Sequence, residues 1–182
     1  MGVGGFSKVY LCRLKKTNEL FAIKSIKINT KKSDKKNYQV QIQQERDILI
    51  KLKHPFIVKL KAAFQSSKRF FLVMAFTQGG EMIQYIKRNS MKVREETVKY
   101  YAAEIALAIQ YLHDLGIVYG DLKPENILID KYGHVKLTDF GASKLMNANN
   151  SAMGFAGTPG TFIFFKNNRL SGTWGFETQE SD

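Results

Sequence analysis

Two opposite charges set on apolar surfaces constrain this fold more than any other feature of the sequence. Lys24 ends the apolar run Phe21–Ile23, inside a segment, Phe6 to Ile28, whose alternation reads as strands broken near Lys15 to Glu19. Glu45 lies three residues after Ile42 and four before Leu49, within 38–53, where Ile42, Leu49 and Leu52 recur at helical spacing. Its carboxylate therefore falls on the apolar face of a helix. A buried charge needs a partner, and a fold that packs this helix on this strand lets Lys24 and Glu45 satisfy each other. A glutamate tolerated at the edge of an amphipathic helix is the plainer alternative.

The remaining pattern places strands early and helices late. Asn29 to Asn37 is a lysine-rich link, His54 and Pro55 end the helix, and Phe56 to Leu60 and Arg69 to Phe76 read as further strands. Gly79 and Gly80 form a break after five strands and one helix. Glu95 to Leu115 carries Val98, Tyr101, Ile105, Ala108, Ile109 and Leu112 at three-to-four spacing with Gly116 as a stop, predicting a long buried helix. Ile127 to Ile129 and Val135 to Leu137 flank Lys131 to His134, a turn holding Gly133, and predict a hairpin. The sum is an α+β fold with an antiparallel sheet.

Composition narrows the function. The 182 residues suffice for one domain and a little over, and 14 glycines with 3 prolines exclude collagen-like and proline-rich classes. With 28 basic and 16 acidic residues the net charge is +12, which favours polyanions, acidic surfaces or phosphorylated ligands. The cluster Lys31 to Lys36 comes with no readout motif for nucleic acid, so no specific nucleic-acid partner is expected. Cys12 is the single cysteine, which rules out an internal disulfide and a multi-cysteine zinc site and fits a reducing compartment. There is no apolar run of 18 residues and no signal-peptide pattern, so the expectation is an intracellular chain, cytoplasmic or nuclear, without a membrane span.

Chemistry concentrates in three places. Gly2, Gly4 and Gly5 precede the strand Lys8 to Leu11, where backbone amides can approach phosphate oxygens, although a tight turn needs the same residues. Tyr119 to Asn126 packs a possible base, Asp121, a cation, Lys123, and an amide, Asn126, into one loop between apolar strands. Eighteen residues after Asp121 comes Asp139, followed by Phe140 and Gly141. Two separated oxygen donors such as Asn126 and Asp139 suit Mg²⁺, which takes few protein oxygens alongside phosphates and water. A polar hairpin rim is the bland reading.

On this ordered set the sequence resembles the eukaryotic protein kinase family: the glycine loop, Phe21-Ala-Ile-Lys24, a helix glutamate, Asp121 with Asn126, Asp139-Phe-Gly141 and Gly157-Thr-Pro159. Lys123 within Asp-Leu-Lys-Pro-Glu-Asn is similar to the serine/threonine branch, and Gly79-Gly-Glu-Met82 with Leu137-Thr-Asp-Phe-Gly141 resembles the basophilic AGC group. The resemblance implies a two-lobe fold, with residues 1–159 a partial kinase domain. Within it 1–77 would be the small lobe with its hinge, 78–159 the upper large lobe and the start of the activation loop, and 160–182 a divergent tail. It implies ATP and Mg²⁺ as cofactors. Gly2, Gly4, Gly5 and Ser7 would cover the phosphates, Lys24 oriented by Glu45 would hold them, and Val9, Ala22, Met74, Ala75 and Thr77 would enclose adenine. Glu81 would meet the ribose. Asn126 and Asp139 would bind the metal, Asp121 would accept the substrate hydroxyl proton, and Lys123 would steady the transferring phosphoryl group.

The substrate implied is a protein, with Glu81 and Glu125 favouring basic residues near its target Ser or Thr, and the kinase itself a monomer. Departures from the pattern are specific. Ser7 replaces the third loop glycine, Ala75 the usual hinge glutamate, and Gly120 the arginine that receives an activation-loop phosphate. Gly154 stands where the phosphorylatable threonine is usual, with Ser151 a displaced candidate, and after Pro159 the pattern stops at Gly160, Thr161 and the apolar run Phe162 to Phe165. The expectation is a C-terminally truncated member. A non-catalytic kinase-like fragment that binds nucleotide or a partner is the alternative.

Overall fold

Residues 7–27 fold as their alternation requires. In the computed structural model, which describes residues 3–4, 7–28, 35–89, 92–145, 165–166 and 169–170, β2 (Ser7–Arg13) and β3 (Leu20–Lys27) pair antiparallel. β1 (Val3–Gly4) pairs with β2 through Gly4↔Ser7, β5 (Arg69–Ala75) lies on the far side of β3, and β4 (Leu60–Gln65) forms the outer edge. The order is β1-β2-β3-β5-β4. α1 (Lys35–Lys51) buries Ile42, Ile48 and Leu49 against this sheet, with Leu52 just beyond its end. It starts three residues before the expected helix, inside the region expected to be a link, and ends two residues sooner.

One strand assignment fails. Phe56 to Leu60 is not a sheet strand, because its backbone groups serve a different partner. Val58 N–H donates to Leu137 O at 2.9 Å, Leu137 N–H donates to Phe56 O at 2.8 Å, and Ile57 forms a lone parallel bridge with Leu137. The sheet strand begins where that segment ends, at Leu60. Its Lys-Ala-Ala stretch carries little β-propensity, and a register shift between Leu60 and Ala62 blurs the alternation.

Below the sheet, α2 (Met82–Arg88), a short helix the sequence reading lacked, follows the Gly79–Gly80 break. α3 (Glu95–Asp114) forms as expected but is not buried all round: Glu104, Ala108, Ile109 and Leu112 make its inner stripe, while Val98 and Leu107 are exposed. β6 (Ile117–Val118), a 3-10 turn (Pro124–Asn126), and β7 (Ile127–Ile129) with β8 (Val135–Leu137) follow α3. β9 (Lys144–Leu145) returns to pair with β6. Two short strands, Phe165–Lys166 and Arg169–Leu170, pair with each other. Gly2, Gly5, Ser151, Gly154, Gly157 to Pro159 and 162–164 lie outside the described residues. Among the described residues one core runs from Phe70, Leu72 and Met74 of β5 through Leu49 to Val135, Leu137 and Phe140, so sheet and hairpin share an interior. No helix among the described residues is long and apolar enough to cross a membrane.

The break after β5 is tied to the hairpin. Ile129 N–H donates to Gly80 O at 2.8 Å, and a Cβ added to Gly79 would sit 2.3 Å from Ile129 O. Both atoms in that clash are rigidly placed, so Gly79→Ala forces two backbone segments apart. The expected loss is about 2–3 kcal/mol, an overpacking cost, read as a fall in Tm of roughly 4 to 12 °C. An unchanged melt would contradict the close approach.

Candidate active site

β3 carries Lys24 on the face turned toward α1, between Val9 of β2 and Leu72 of β5. Its Nζ lies 2.7 Å from Glu45 Oε1 and 2.8 Å from Asp139 Oδ1. One ammonium thus serves two carboxylates, and Lys24 and Glu45 are both buried. The consequence differs for the two partners. Burial alone would lower the Lys24 pKa, but Glu45 and Asp139 together outweigh it and hold the pKa above the usual lysine value. Burial raises the Glu45 pKa, and a cation shared with Asp139 does not fully offset that.

Asp139 follows β8 with φ 57°, a left-handed backbone, and its side chain is 50% exposed. Gly141 N–H donates to Asp139 Oδ1 at 3.3 Å, and a Cβ at Gly141 would lie 3.3 Å from that oxygen and 3.6 Å from Glu45 Oε2. Glycine at 141 keeps this corner open. Phe140, fully buried, meets the Tyr119 ring edge-on with centroids 5.1 Å apart. The Tyr119 hydroxyl donates to Thr138 O, and burial pushes its pKa well above the ordinary tyrosine value, so it stays a donor. Tyr119 was noted in the sequence only as part of the loop. Its burial and its bond to the strand before Asp139 had no signal there beyond its aromatic type.

The loop between these anchors is held by its own amide. Asn126 Nδ2 donates to Asp121 O at 2.9 Å and to Asp121 Oδ2 at 2.8 Å, and Lys123 Nζ lies 2.8 Å from the same Oδ2. Thr138 N–H donates to Asn126 O at 3.0 Å, joining this loop to the segment after β8 that carries Asp139. Gly120, φ 79°, takes the left-handed turn directly before Asp121.

The other residues singled out from sequence lie on β3, on β5 and on the segment that follows β5. Ala22 pairs with Leu11 and Met74, Met74 is buried, and Ala75 ends β5 with its N–H bonded to Lys59 O at 2.9 Å. Thr77 follows that strand, and Glu81 makes a lone antiparallel bridge with Leu128 just before α2. The structure therefore brings Lys24, Glu45 and Asp139 together in one group and Asp121, Lys123 and Asn126 in another, with Thr138 and Tyr119 between. Gly4 and Ser7 face each other at the β1–β2 turn.

The family described as "Protein kinase domain" matches residues 1–162. This chain belongs to the protein kinase family. Human ribosomal protein S6 kinase alpha-6 is 45% identical over 159 residues, covering 87% of this chain and 21% of that protein. Human ribosomal protein S6 kinase alpha-2 is 43% identical over 159 residues, covering 87% of this chain and 22% of its own length. A probable serine/threonine-protein kinase of Dictyostelium discoideum is 45% identical over 162 residues, 34% of its length. The chain spans about a fifth of the length of the S6 kinases it matches. These similarities place the kinase in the serine/threonine, AGC-like branch, and its α+β two-lobe architecture agrees with the expectation. The family's reaction is ATP-dependent phosphoryl transfer, generally with Mg²⁺.

Proposed function

We propose that this kinase transfers the γ-phosphoryl group of ATP to Ser or Thr hydroxyls of proteins bearing basic residues near the target. The observation that carries the reading is Lys24 set between Glu45 and Asp139 at 2.7 and 2.8 Å, an ammonium locked in position beside a half-exposed carboxylate. In this reading residues 1–77 form the nucleotide-binding lobe and 78–159 the catalytic and activation segments. Lys24 turns its charge to the α/β-phosphates, and Gly2, Gly4, Gly5 and Ser7 cover them with backbone amides. Val9, Ala22, Met74, Ala75 and Thr77 enclose the adenine, and Glu81 meets the ribose.

Asn126 and Asp139 fit Mg²⁺: they are hard oxygen donors on two tied segments, and Asp139 already belongs to a group with more carboxylates than ammoniums. That ion supplies charge neutralisation on the phosphates. Asp121 takes the proton from the attacking hydroxyl, whose oxygen bonds to the γ-phosphorus as the bond to the β-phosphate oxygen breaks and ADP leaves. Lys123 stands beside it to stabilise the transferring charge. In this reading Glu81 and Glu125, the latter exposed, supply the acidic groups that favour a basic substrate. The single Cys12, which can form no internal disulfide, suits an intracellular setting for such substrates. Gly120 offers no side chain to a phosphorylated activation loop, which favours activity without that modification.

Thermal unfolding with saturating Mg²⁺ and ATP tests this reading, followed by phosphate transfer to a basic serine peptide. Ligand at about 100 times its dissociation constant adds roughly 2.7 kcal/mol, an expected rise of about 5 to 11 °C at roughly 2 to 4 °C per kcal/mol. Asp139→Asn is expected to lose the Mg²⁺-dependent part. A wild-type chain with no shift would overturn the nucleotide site, and a shift without transfer would favour the non-catalytic alternative.

A further inference from the structure

The pairing register defines an outer face of the sheet that the nucleotide site does not use. Tyr10 pairs with Ile23 and Ile23 with Val73 in one row, and Phe71 pairs with Phe64 in the next. These residues alternate with Lys24, Leu72 and Met74, which turn inward, so they point the other way. Among the described residues the face is apolar and open. Tyr10 is 46% and Phe64 51% exposed, and the Phe64 and Phe71 rings stack with centroids 4.8 Å apart at 21°. No helix among the described residues lies over it. The Lys24–Glu45 pair puts α1 on the opposite face, α2 packs on β7 and the 3-10 turn, and α3 packs on β6 and β8.

A sheet apolar on both sides calls for a packed layer on each. The charge around this face says what kind of layer. Glu19 is the single acidic residue in 7–28 and 60–75, against eight lysines and arginines besides the inward Lys24. Lys8 and Lys27 flank the apolar rows, Arg69 is held over Ser25 by a 3.1 Å bond to its Oγ, and Lys61, at the irregularity of edge strand β4, lies 3.8 Å from Glu19, the one acidic charge nearby. The cations form a rim and the aromatic and aliphatic groups the centre, the reverse of a nucleic-acid surface, where cations track the phosphates. Four strands about 4.8 Å apart give a width near 14 Å, which seats one helix of roughly 10–12 Å.

We propose that the outer face of β2, β3, β5 and β4 docks an acidic amphipathic helix of a partner protein. Its apolar stripe rests on Tyr10, Ile23, Val73, Phe71 and Phe64, and its flanking carboxylates meet Lys8 and Lys27.

The test uses the whole chain and a peptide of roughly 18 residues with a Leu/Phe stripe flanked by Glu, against a control of identical stripe flanked by Lys. Fluorescence anisotropy is expected to show the Glu peptide binding at least about tenfold tighter. Amide shifts are expected to map to Tyr10, Ile23 and Val73. Tyr10→Ser with Phe64→Ser, and separately Lys8→Glu with Lys27→Glu, are each expected to weaken binding by about tenfold or more. The Mg²⁺-ATP thermal shift is expected to stay unchanged in both. If the first pair impairs folding, the lysine pair decides. Equal binding of both peptides, binding of neither, or shifts mapping elsewhere would overturn the proposal. So would binding to vesicles of phosphatidylcholine with about 30% phosphatidylserine in place of the peptide, or a dimer in sedimentation that Phe64→Ser dissolves.

Discussion

Lys24→Met is expected to lower the stability of this kinase by about 3–5 kcal/mol, because it leaves a buried carboxylate without its cation. Methionine nearly matches lysine in length, so the change tests charge more than packing. Glu45 is then buried beside Asp139 with no ammonium between them, and the expected fall in Tm is roughly 6 to 20 °C. The sign of the pH dependence follows from Glu45. Its folded pKa already stands above the ordinary carboxylate value, so the folded form holds that proton more tightly than the unfolded chain does.

Stability from a raised pKa is fully present below the unfolded value and is lost as pH rises through the folded one. Without Lys24 the Glu45 pKa climbs further, so the deficit of the variant is expected to be widest near pH 8 and to shrink toward pH 5. Lys24 in the wild type acts at the other end. Its raised pKa means that its contribution persists through neutral pH and fades only in alkali above the usual lysine value. Melts of both proteins across this range check the prediction, and a deficit that ignores pH would refute it. Lys24→Met combined with Glu45→Leu is expected to recover most of the loss, since an apolar pair of similar volume removes the stranded charge. Neither variant is expected to keep the ATP-induced shift.

Asp121→Asn is expected to reduce kcat by about 10²–10⁴-fold while leaving the Mg²⁺-ATP thermal shift intact. Asn126 and Lys123 both reach Asp121 Oδ2 at 2.8 Å, and Asn126 also holds the Asp121 carbonyl, so the loop geometry has supports besides the carboxylate charge. An asparagine there keeps an oxygen for those donors but cannot take a proton from a hydroxyl. Loss of turnover with unchanged nucleotide binding separates proton acceptance from positioning. Steady-state transfer to a basic serine peptide measures it, and less than tenfold loss would remove Asp121 from that role.

How far the sequence foretold this arrangement depends on whether the cause of each feature is local. Lys24 and Glu45 were legible because each sits on its own element at a position whose apolar neighbours announce burial. Asp139 as the second partner of Lys24 was not legible, since 115 residues separate them and the resemblance gave them separate roles, one on the phosphates and one on the metal. The hairpin of β7 and β8 was legible because a glycine turn and its flanking strands are adjacent. Phe56 to Leu60 misled because an apolar run does not say which strand it serves. β4 hid behind Lys61, Ala62 and Ala63. α2 has seven residues, too few for a periodicity to show. The exposure of Val98 on α3 reflects what packs against the helix, which its own spacing does not encode.

The contact of residues 56–58 with Leu137 carries a consequence for how the chain is made. These partners stand about eighty residues apart, and Lys53 N–H also reaches the Tyr111 hydroxyl across 58 residues, at 2.9 Å. A ribosome adding about 5–20 residues per second releases the loop after α1 some 4 to 16 seconds before Leu137 exists to receive it. Through that interval Ile57 and Val58, just ahead of β4, lack their eventual cover. The smallest stretch that closes its own interior therefore runs past Leu137, and a nascent chain stalled earlier presents an apolar edge for chaperones to shield.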